Sequence, residues 1–308
     1  MLRPIIKMIR PHQWVKNLFV MAPMFFHKDV FMVHEGVPSL NLLVTGRAAA
    51  ATLVFCFLAG SVYTINDLVD VEQDRVHPVK RNRPIASGAV PESVAKLTAA
   101  LLVCVSLAAA VWLDWRFGAV ALVYLVENIA YSFKLKHVAF LDVALIALGF
   151  VLRVVAGGLA TRTPVSWYMY ACTALLALFL GFGKRRHELS GENASKQRAA
   201  LKAYSPASLT VAMAITGGAT IVTYILYTLD KATQEFFHTD KLWLTAPFTV
   251  FGIVRFLFLV SGRTSGSKSG KAESPTQAML SDVPFVLNLV IWVIVVVAVV
   301  YRLTPRMG

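Results

Sequence analysis

Long apolar runs, separated by short polar and basic segments, dominate the chain. About 20 apolar residues span the hydrocarbon core of a bilayer, so runs of that length predict membrane crossings. Nine are found, at 15–33, 44–66, 93–113, 116–133, 139–160, 165–183, 208–229, 241–260 and 284–303. Pro23, His27 and Lys28 interrupt the first. Hydrocarbon offers no partner to a free N–H or C=O, and the runs are too long and too uniformly apolar for barrel strands, so each predicts an α-helix. The expected fold is all-α: a single transmembrane domain over 1–308, built as a bundle of nine helices with cytoplasmic active-site loops. Residues 1–14 read as a basic amphipathic lead-in lying on the membrane. They lack the apolar stretch and cleavage site of a secretory signal, so nothing is expected to be removed. The Gly/Ser/Lys-rich stretch 261–280 has no apolar period and predicts a flexible cytoplasmic loop.

Composition supports the membrane reading, because a chain that is 57% hydrophobic and 15% charged carries more apolar surface than a soluble fold of 308 residues can bury. The net charge of +13 would raise the question of nucleic acid if the basic residues lined one soluble face. Instead they sit in short segments between apolar runs, and their distribution sets orientation. With the N-terminus inside, twenty of the thirty Lys and Arg fall on the cytoplasmic side and eight on the other, which predicts a multi-pass protein of the plasma or inner membrane with its C-terminus outside. Losing the first crossing would reverse that assignment. Cys56, Cys104 and Cys172 each stand alone inside an apolar run, without metal-ligand spacing, and read as packing residues.

Chemistry concentrates in the cytoplasmic segments. In NDLVDVEQDRVHPVKRNRPIASGAVP (66–91), Asp67, Asp70 and Asp74 recur at i, i+3 and i+7 and share one face if the second helix continues past the membrane edge. Three like charges on one stripe repel unless a divalent cation lies among them, and Mg²⁺ pairs carboxylate oxygens with substrate phosphate. Lys80, Arg81 and Arg83 follow with donors suited to phosphate oxygens. A solvated helix end is the alternative.

In YSFKLKHVAFLDV (131–143), Tyr131, Lys134 and Lys136 mark one helix end, and Asp142 begins the next. Membrane anchoring alone can explain the lysines, whereas an acid at the edge of an apolar run needs a partner or a task. Arg153 lies inside the following run and must face the bundle interior, either paired with Glu127 or touching substrate. After the sixth run, GKRRHELSGENASKQRAALKAY (183–204) puts Lys184, Arg185, Arg186, His187 and Glu188 at the membrane surface, where anionic-lipid contact is the plainer role.

NDxxDxxxD followed by RPxxSG, in nine spans with cytoplasmic active loops, resembles the UbiA superfamily of intramembrane prenyltransferases over essentially the whole chain. More narrowly, RPHQWVKN (10–17), DRVHPVKRNRPIASG (74–88), YSFKLKH (131–137), LRVVAGG (152–158), GKRRHEL (183–189) and the late SDVP are similar to the decaprenyl-phosphate phosphoribosyltransferase branch. That resemblance implies transfer of 5-phosphoribose from phosphoribosyl diphosphate to a polyprenyl phosphate, with release of pyrophosphate, as a step in cell-envelope glycan synthesis. Asn66, Asp67, Asp70 and Asp74 would hold Mg²⁺ and diphosphate, with Asp142 joining the catalytic set. Lys16, Lys80, Arg81, Arg83, Tyr131, Lys134, Lys136, Arg153, Lys184, Arg185 and Glu188 would contact substrate. Partners are the two substrates, the bilayer and at most further copies of the chain.

Superfamily members that accept an aromatic ring carry a second acidic motif, DxxxD, after the sixth span, where this chain has GKRRHEL. Basic groups in place of carboxylates favour an additional phosphate over a second metal. Glu127 also departs from the branch, which is expected to be apolar there. A phosphate monoester is already an anionic nucleophile, so positioning and charge stabilisation are expected to dominate, with Asp142 and Glu188 as ribose-hydroxyl or metal-shell partners rather than bases. The alternatives are an aromatic polyprenyltransferase of the 4-hydroxybenzoate type and, more remotely, a transporter. A transporter would keep its ionisable groups near mid-membrane, whereas most here cluster at one face.

Overall fold

A computed structural model describes residues 2–34, 37–190, 201, 203–260, 279 and 281–301. The expected flexible tract at 261–280 therefore falls almost wholly outside the described residues. Among those described, seven helices are long and apolar enough to cross a membrane: Leu42–Val69, Glu92–Leu113, Leu141–Thr161, Trp167–Leu189, Pro206–Leu229, Lys241–Val260 and Val283–Tyr301. In chain order the α-helices are α1 (Leu2–Met8), α2 (Ala22–Phe26), α3 (Leu42–Val69), α4 (Val71–Val76), α5 (Glu92–Leu113) and α6 (Trp115–Phe133). They continue with α7 (Leu141–Thr161), α8 (Trp167–Ser190), α9 (Pro206–Leu229), α10 (Lys231–Phe237), α11 (Ala246–Val260) and α12 (Val283–Tyr301). The chain forms two compact units, residues 1–165 and 166–308.

Two of the nine expected spans are not in the apolar set. The run 116–133 folds as the uninterrupted helix α6, whose Arg116, Glu127 and Asn128 lower its apolarity. The first run, 15–33, forms no long α-helix. A 3-10 helix covers Pro11–Met21, α2 adds five residues beginning beside Pro23, and a left-handed Lys28 (φ 62°) precedes a hairpin of β1 (Phe31–His34) with β2 (Val37–Leu40). Proline without an N–H suits helix starts and works against a continuous α-helix. The all-α expectation thus misses one small antiparallel ladder, in which Phe31 pairs with Leu40 and His34 with Val37.

This first segment nonetheless runs from one end of the first unit to the other. Arg10 contacts Asp67 at the last turn of α3, Asn17 contacts Cys56 and Arg153 midway along α3 and α7, and Asp29 accepts from Thr163 just past the far end of α7. A 3-10 helix rises about 2 Å per residue against about 1.5 Å for an α-helix. The segment therefore covers more depth with fewer residues. Its seat against α7 depends on Gly157, where an added Cβ would lie 2.0 Å from the Val20 carbonyl oxygen.

Val20, Val54, Phe55, Leu58, Val62, Phe117, Ala121, Tyr124, Leu152 and Ala156 form the core where α3, α6, α7 and the 3-10 helix meet. At the end of the unit nearest the hairpin, Arg47 donates to the carbonyls of Leu113 (3.0 Å) and Ala160 (2.6 Å), satisfying the ends of α5 and α7 with one guanidinium. In the second unit α8 packs on α9, and α9 on α11. Arg255 grips both carboxylate oxygens of Asp282 (3.1 and 2.7 Å), and Asp282 accepts from the Phe285 N–H at the start of α12.

Candidate active site

The acidic stripe lies where α3 gives way to α4. Backbone bonds from Asp70 N–H to the Asn66 carbonyl and from Asp74 N–H to the Asp70 carbonyl carry the helical pattern across the junction. Asp70 itself (φ −93°, ψ 5°) leaves α-helical geometry, so the expected single face is broken in the middle. Asp67 and Asp74, each 2% exposed, point to one place, while Asp70 turns to Lys136, whose Nζ lies 2.6 Å from its carboxylate. No group of three or more His, Cys, Asp or Glu side chains is gathered for a metal ion among the described residues. Asn66 is half-buried one position before Asp67.

Two arginines close over the buried pair. Arg10, in a left-handed backbone conformation (φ 51°), places Nη2 at 2.6 and 2.8 Å from the two oxygens of Asp67 and lies over the Tyr63 ring. Arg83 Nη1 bridges Asp67 (3.0 Å) and Asp74 (2.5 Å). Local chain chemistry delivers Arg83. His77 Nδ1 accepts from the backbone N–H of Val79 and of Lys80, both at 3.2 Å, which folds the chain into the 3-10 turn Lys80–Asn82. Ile85 and Val90 then bury against Met8, Val71 and Ala95 and fix the return. Burial, with the charge of Lys80 second, holds the His77 imidazole below the ordinary histidine value of 6.5, so it serves as a neutral acceptor. Lys80 is half-buried and Arg81 exposed.

A second polar layer lies deeper in the bundle. Arg153 on α7 donates to Asn17 Oδ1, the Gly149 carbonyl and Tyr124 OH, each at 2.8 Å, with its guanidinium stacked over Tyr124. The expected alternative of an ion pair with Glu127 is not formed. Glu127 accepts instead from Asn128 (2.7 Å), and Asn17 and Tyr124 occupy the corners of the arginine. Lys16 is half-buried, feels the charges of Arg10 and Arg153, and has no hydrogen-bond or ion-pair partner among the described residues.

Of the remaining expected residues, Asp142 is wholly buried in the first turn of α7, where the helix dipole favours an acid. Tyr131 is half-buried and Lys134 exposed. Lys184, Arg185 and Glu188 belong to the second unit. There Arg185 is 1% exposed and pairs with Glu188 one turn on, while Lys184 is exposed. Sequence reasoning did not single out Arg10, Asn17, Tyr63 or Tyr124. Arg10 and Asn17 lie within RPHQWVKN, so a signal existed. Nothing local marks Tyr63 and Tyr124, because their partners are far along the chain.

Two carboxylates converging on one guanidinium nitrogen mark a point where a small cation can touch both, and hard oxygen donors of this kind suit Mg²⁺. Asp67 and Asp74 therefore fit such an ion.

Comparison with known proteins accords with this geometry. Residues 20–192 match the UbiA prenyltransferase family. The chain is 34% identical to the decaprenyl-phosphate phosphoribosyltransferase of Mycolicibacterium smegmatis over 306 residues, covering 96% of this chain and 92% of the relative. It is 32% identical to the Corynebacterium glutamicum enzyme of the same name, covering 96% and 86%. A UbiA homologue from Archaeoglobus fulgidus, solved with GPP and Mg²⁺ bound, superposes with a TM-score of 0.67 at 18% identity, covering 97% of this chain and 99% of that one. Apolar helices, paired buried aspartates and these relatives lead to one conclusion: the chain is an integral membrane transferase and belongs to the UbiA prenyltransferase family.

Proposed function

We propose that the protein transfers 5-phosphoribose from phosphoribosyl diphosphate to a polyprenyl phosphate, of the decaprenyl type, with Mg²⁺ and release of pyrophosphate, supplying a cell-envelope glycan precursor. The observation that carries this reading is the buried Asp67–Asp74 pair under Arg10 and Arg83 at the end of an apolar helix. Whole-length similarity to enzymes named for that reaction supports the substrates. In this reading the 3-10 segment, α6 and the seven apolar helices make nine crossings. The N-terminus and the acidic site face the cytoplasm, and the C-terminus lies outside, in the plasma or inner membrane.

Asp67 and Asp74, with Asn66, are the residues that would hold the ion, and Asp70 joins them where its tie to Lys136 opens. A bound Mg²⁺ would neutralise the departing diphosphate. Arg10, Arg83, Lys80 and Arg81 bind phosphate oxygens as the bond from ribose C1 to the diphosphate breaks, the electron pair leaving with pyrophosphate. An oxygen of the lipid phosphate forms the new bond to C1 from the opposite face, with inversion. That nucleophile is anionic at neutral pH, so the chain's contribution is positioning and charge stabilisation. Lys136, Lys134, Tyr131, Asp142 and Lys16 complete the substrate-binding set of the first unit. Arg153 positions Asn17 and Tyr124 beneath it. Lys184, Arg185 and Glu188 are assigned to a further phosphate.

Membranes containing the protein, given labelled phosphoribosyl diphosphate and a polyprenyl phosphate, should form a labelled lipid and pyrophosphate with Mg²⁺ and not after chelation. Absence of that lipid, with product instead from 4-hydroxybenzoate and a polyprenyl diphosphate, would give the reaction to the aromatic prenyltransferases.

A further inference from the structure

The deeper polar layer contains one acid with spare hydrogen-bonding capacity. Glu127 projects from α6 toward α7. The atoms nearest to where a Cβ on Gly149 would stand are Arg153 Nη1 (3.5 Å), Tyr124 Cε2 (3.8 Å) and Glu127 Oε2 (3.9 Å). One oxygen of Glu127 takes the Asn128 amide, and the residue has no ion pair among the described residues. Unlike Asp142, which is fully enclosed, Glu127 is only half-buried. Lys16, half-buried and without a hydrogen-bond or ion-pair partner among the described residues, lies within range of the Arg153 and Arg10 charges, and Tyr63 feels the same two arginines. Beyond Arg10, which is paired with Asp67, the cations Lys16 and Arg153 thus lie in this layer, with the Glu127 carboxylate beside them.

A carboxylate with a vacant lone pair repels phosphate and attracts a hydrogen-bond donor. In the reaction proposed above, on which this inference rests, both substrates are rich in anionic acceptor oxygens. Their only donors at neutral pH are the ribose 2- and 3-hydroxyls. We infer that Glu127 is a specificity-determining residue that accepts a hydrogen bond from a ribose hydroxyl, orienting the sugar with its phosphates toward the surrounding cations. A hydrogen-bonding site of this kind rejects an analogue lacking the hydroxyl, because its own polar group is left unpaired.

The test compares ribosyl, 2-deoxyribosyl and 3-deoxyribosyl donors with the full-length wild type, Glu127→Ala and Glu127→Gln in membranes. Wild type should prefer the ribosyl donor over one of the deoxy donors by about tenfold or more in kcat/KM. Glu127→Ala should erase that preference by lowering the ribosyl rate while leaving the matching deoxy rate nearly unchanged. Glu127→Gln, which keeps the size and an acceptor oxygen, should retain part of it and guards against a folding defect in the alanine variant. A uniform fall on all three donors, or discrimination unchanged in both variants, overturns the role of Glu127 while transfer by the wild type stands. No transfer from the ribosyl donor by wild type overturns the reaction itself, and this inference with it.

Discussion

At the scale of single residues, the site is a balance of charge between two buried acids and two arginines. Replacing Asp67 or Asp74 with Ala should lower turnover at least about a hundredfold, since charge stabilisation of this kind is worth several kcal/mol. Membrane insertion should be unaffected; radiolabel transfer set against protein level in the membrane fraction checks both. Arg83→Lys tests geometry apart from charge, because an ammonium cannot reproduce the fork of a guanidinium. A fall of about tenfold or more is expected, and a lysine variant at wild-type rate would refute the bridging role. Asp67 and Asp74 were legible in the sequence as part of an i, i+3, i+7 stripe. The separation of Asp70 was not, because it depends on Lys136, 66 positions away, and on a break at the helix junction that spacing alone does not reveal. Arg153 was legible as a residue that must face inward, but its partners Asn17 and Tyr124 come from distant parts of the chain.

At the scale of elements, the return loop hangs on His77. A histidine held below 6.5 in the folded protein stays neutral there while its unfolded counterpart begins to protonate, so its contribution is present above about pH 6.5 and lost as the pH falls through the lowered value. Protection of the 77–83 backbone amides from hydrogen exchange, taken relative to the intrinsic rate at each pH, should therefore fall between neutral and mildly acidic pH in wild type. In His77→Ala that protection should be low and nearly flat across the range, and a steep wild-type-like profile in the variant would count against the anchor. At the other end of the chain, Arg255 holds the Asp282 carboxyl below its ordinary 3.8, and the same carboxylate caps α12. Asp282→Ala should cost about 1–2 kcal/mol, and Asp282→Asn, which keeps the cap, should cost less. Thermal midpoints of detergent-solubilised protein at one scan rate rank the three. Most long helices followed from the apolar runs. The first did not, because run length counts residues and takes no account of how the backbone is wound.

At the scale of the whole molecule, the proposed orientation puts the acidic site on the cytoplasmic side. In a background freed of Cys56, Cys104 and Cys172, a single cysteine at Arg81 should react with an impermeant maleimide only from the inside, and one at Leu40 only from the outside. The reverse pattern would invert the proposed orientation.

The first segment carries a constraint of its own. It is fastened at Arg10, at Asn17 and at Asp29, and much of what lies between is already wound in the more extended helical form. Such a strap holds little slack. Between Arg10 and Asn17 every residue is so wound, so the loss of one there cannot be absorbed by stretching an α-helix, and one fastening must let go, whichever residue is removed. For this stretch of chain, the number of residues matters as much as their identity.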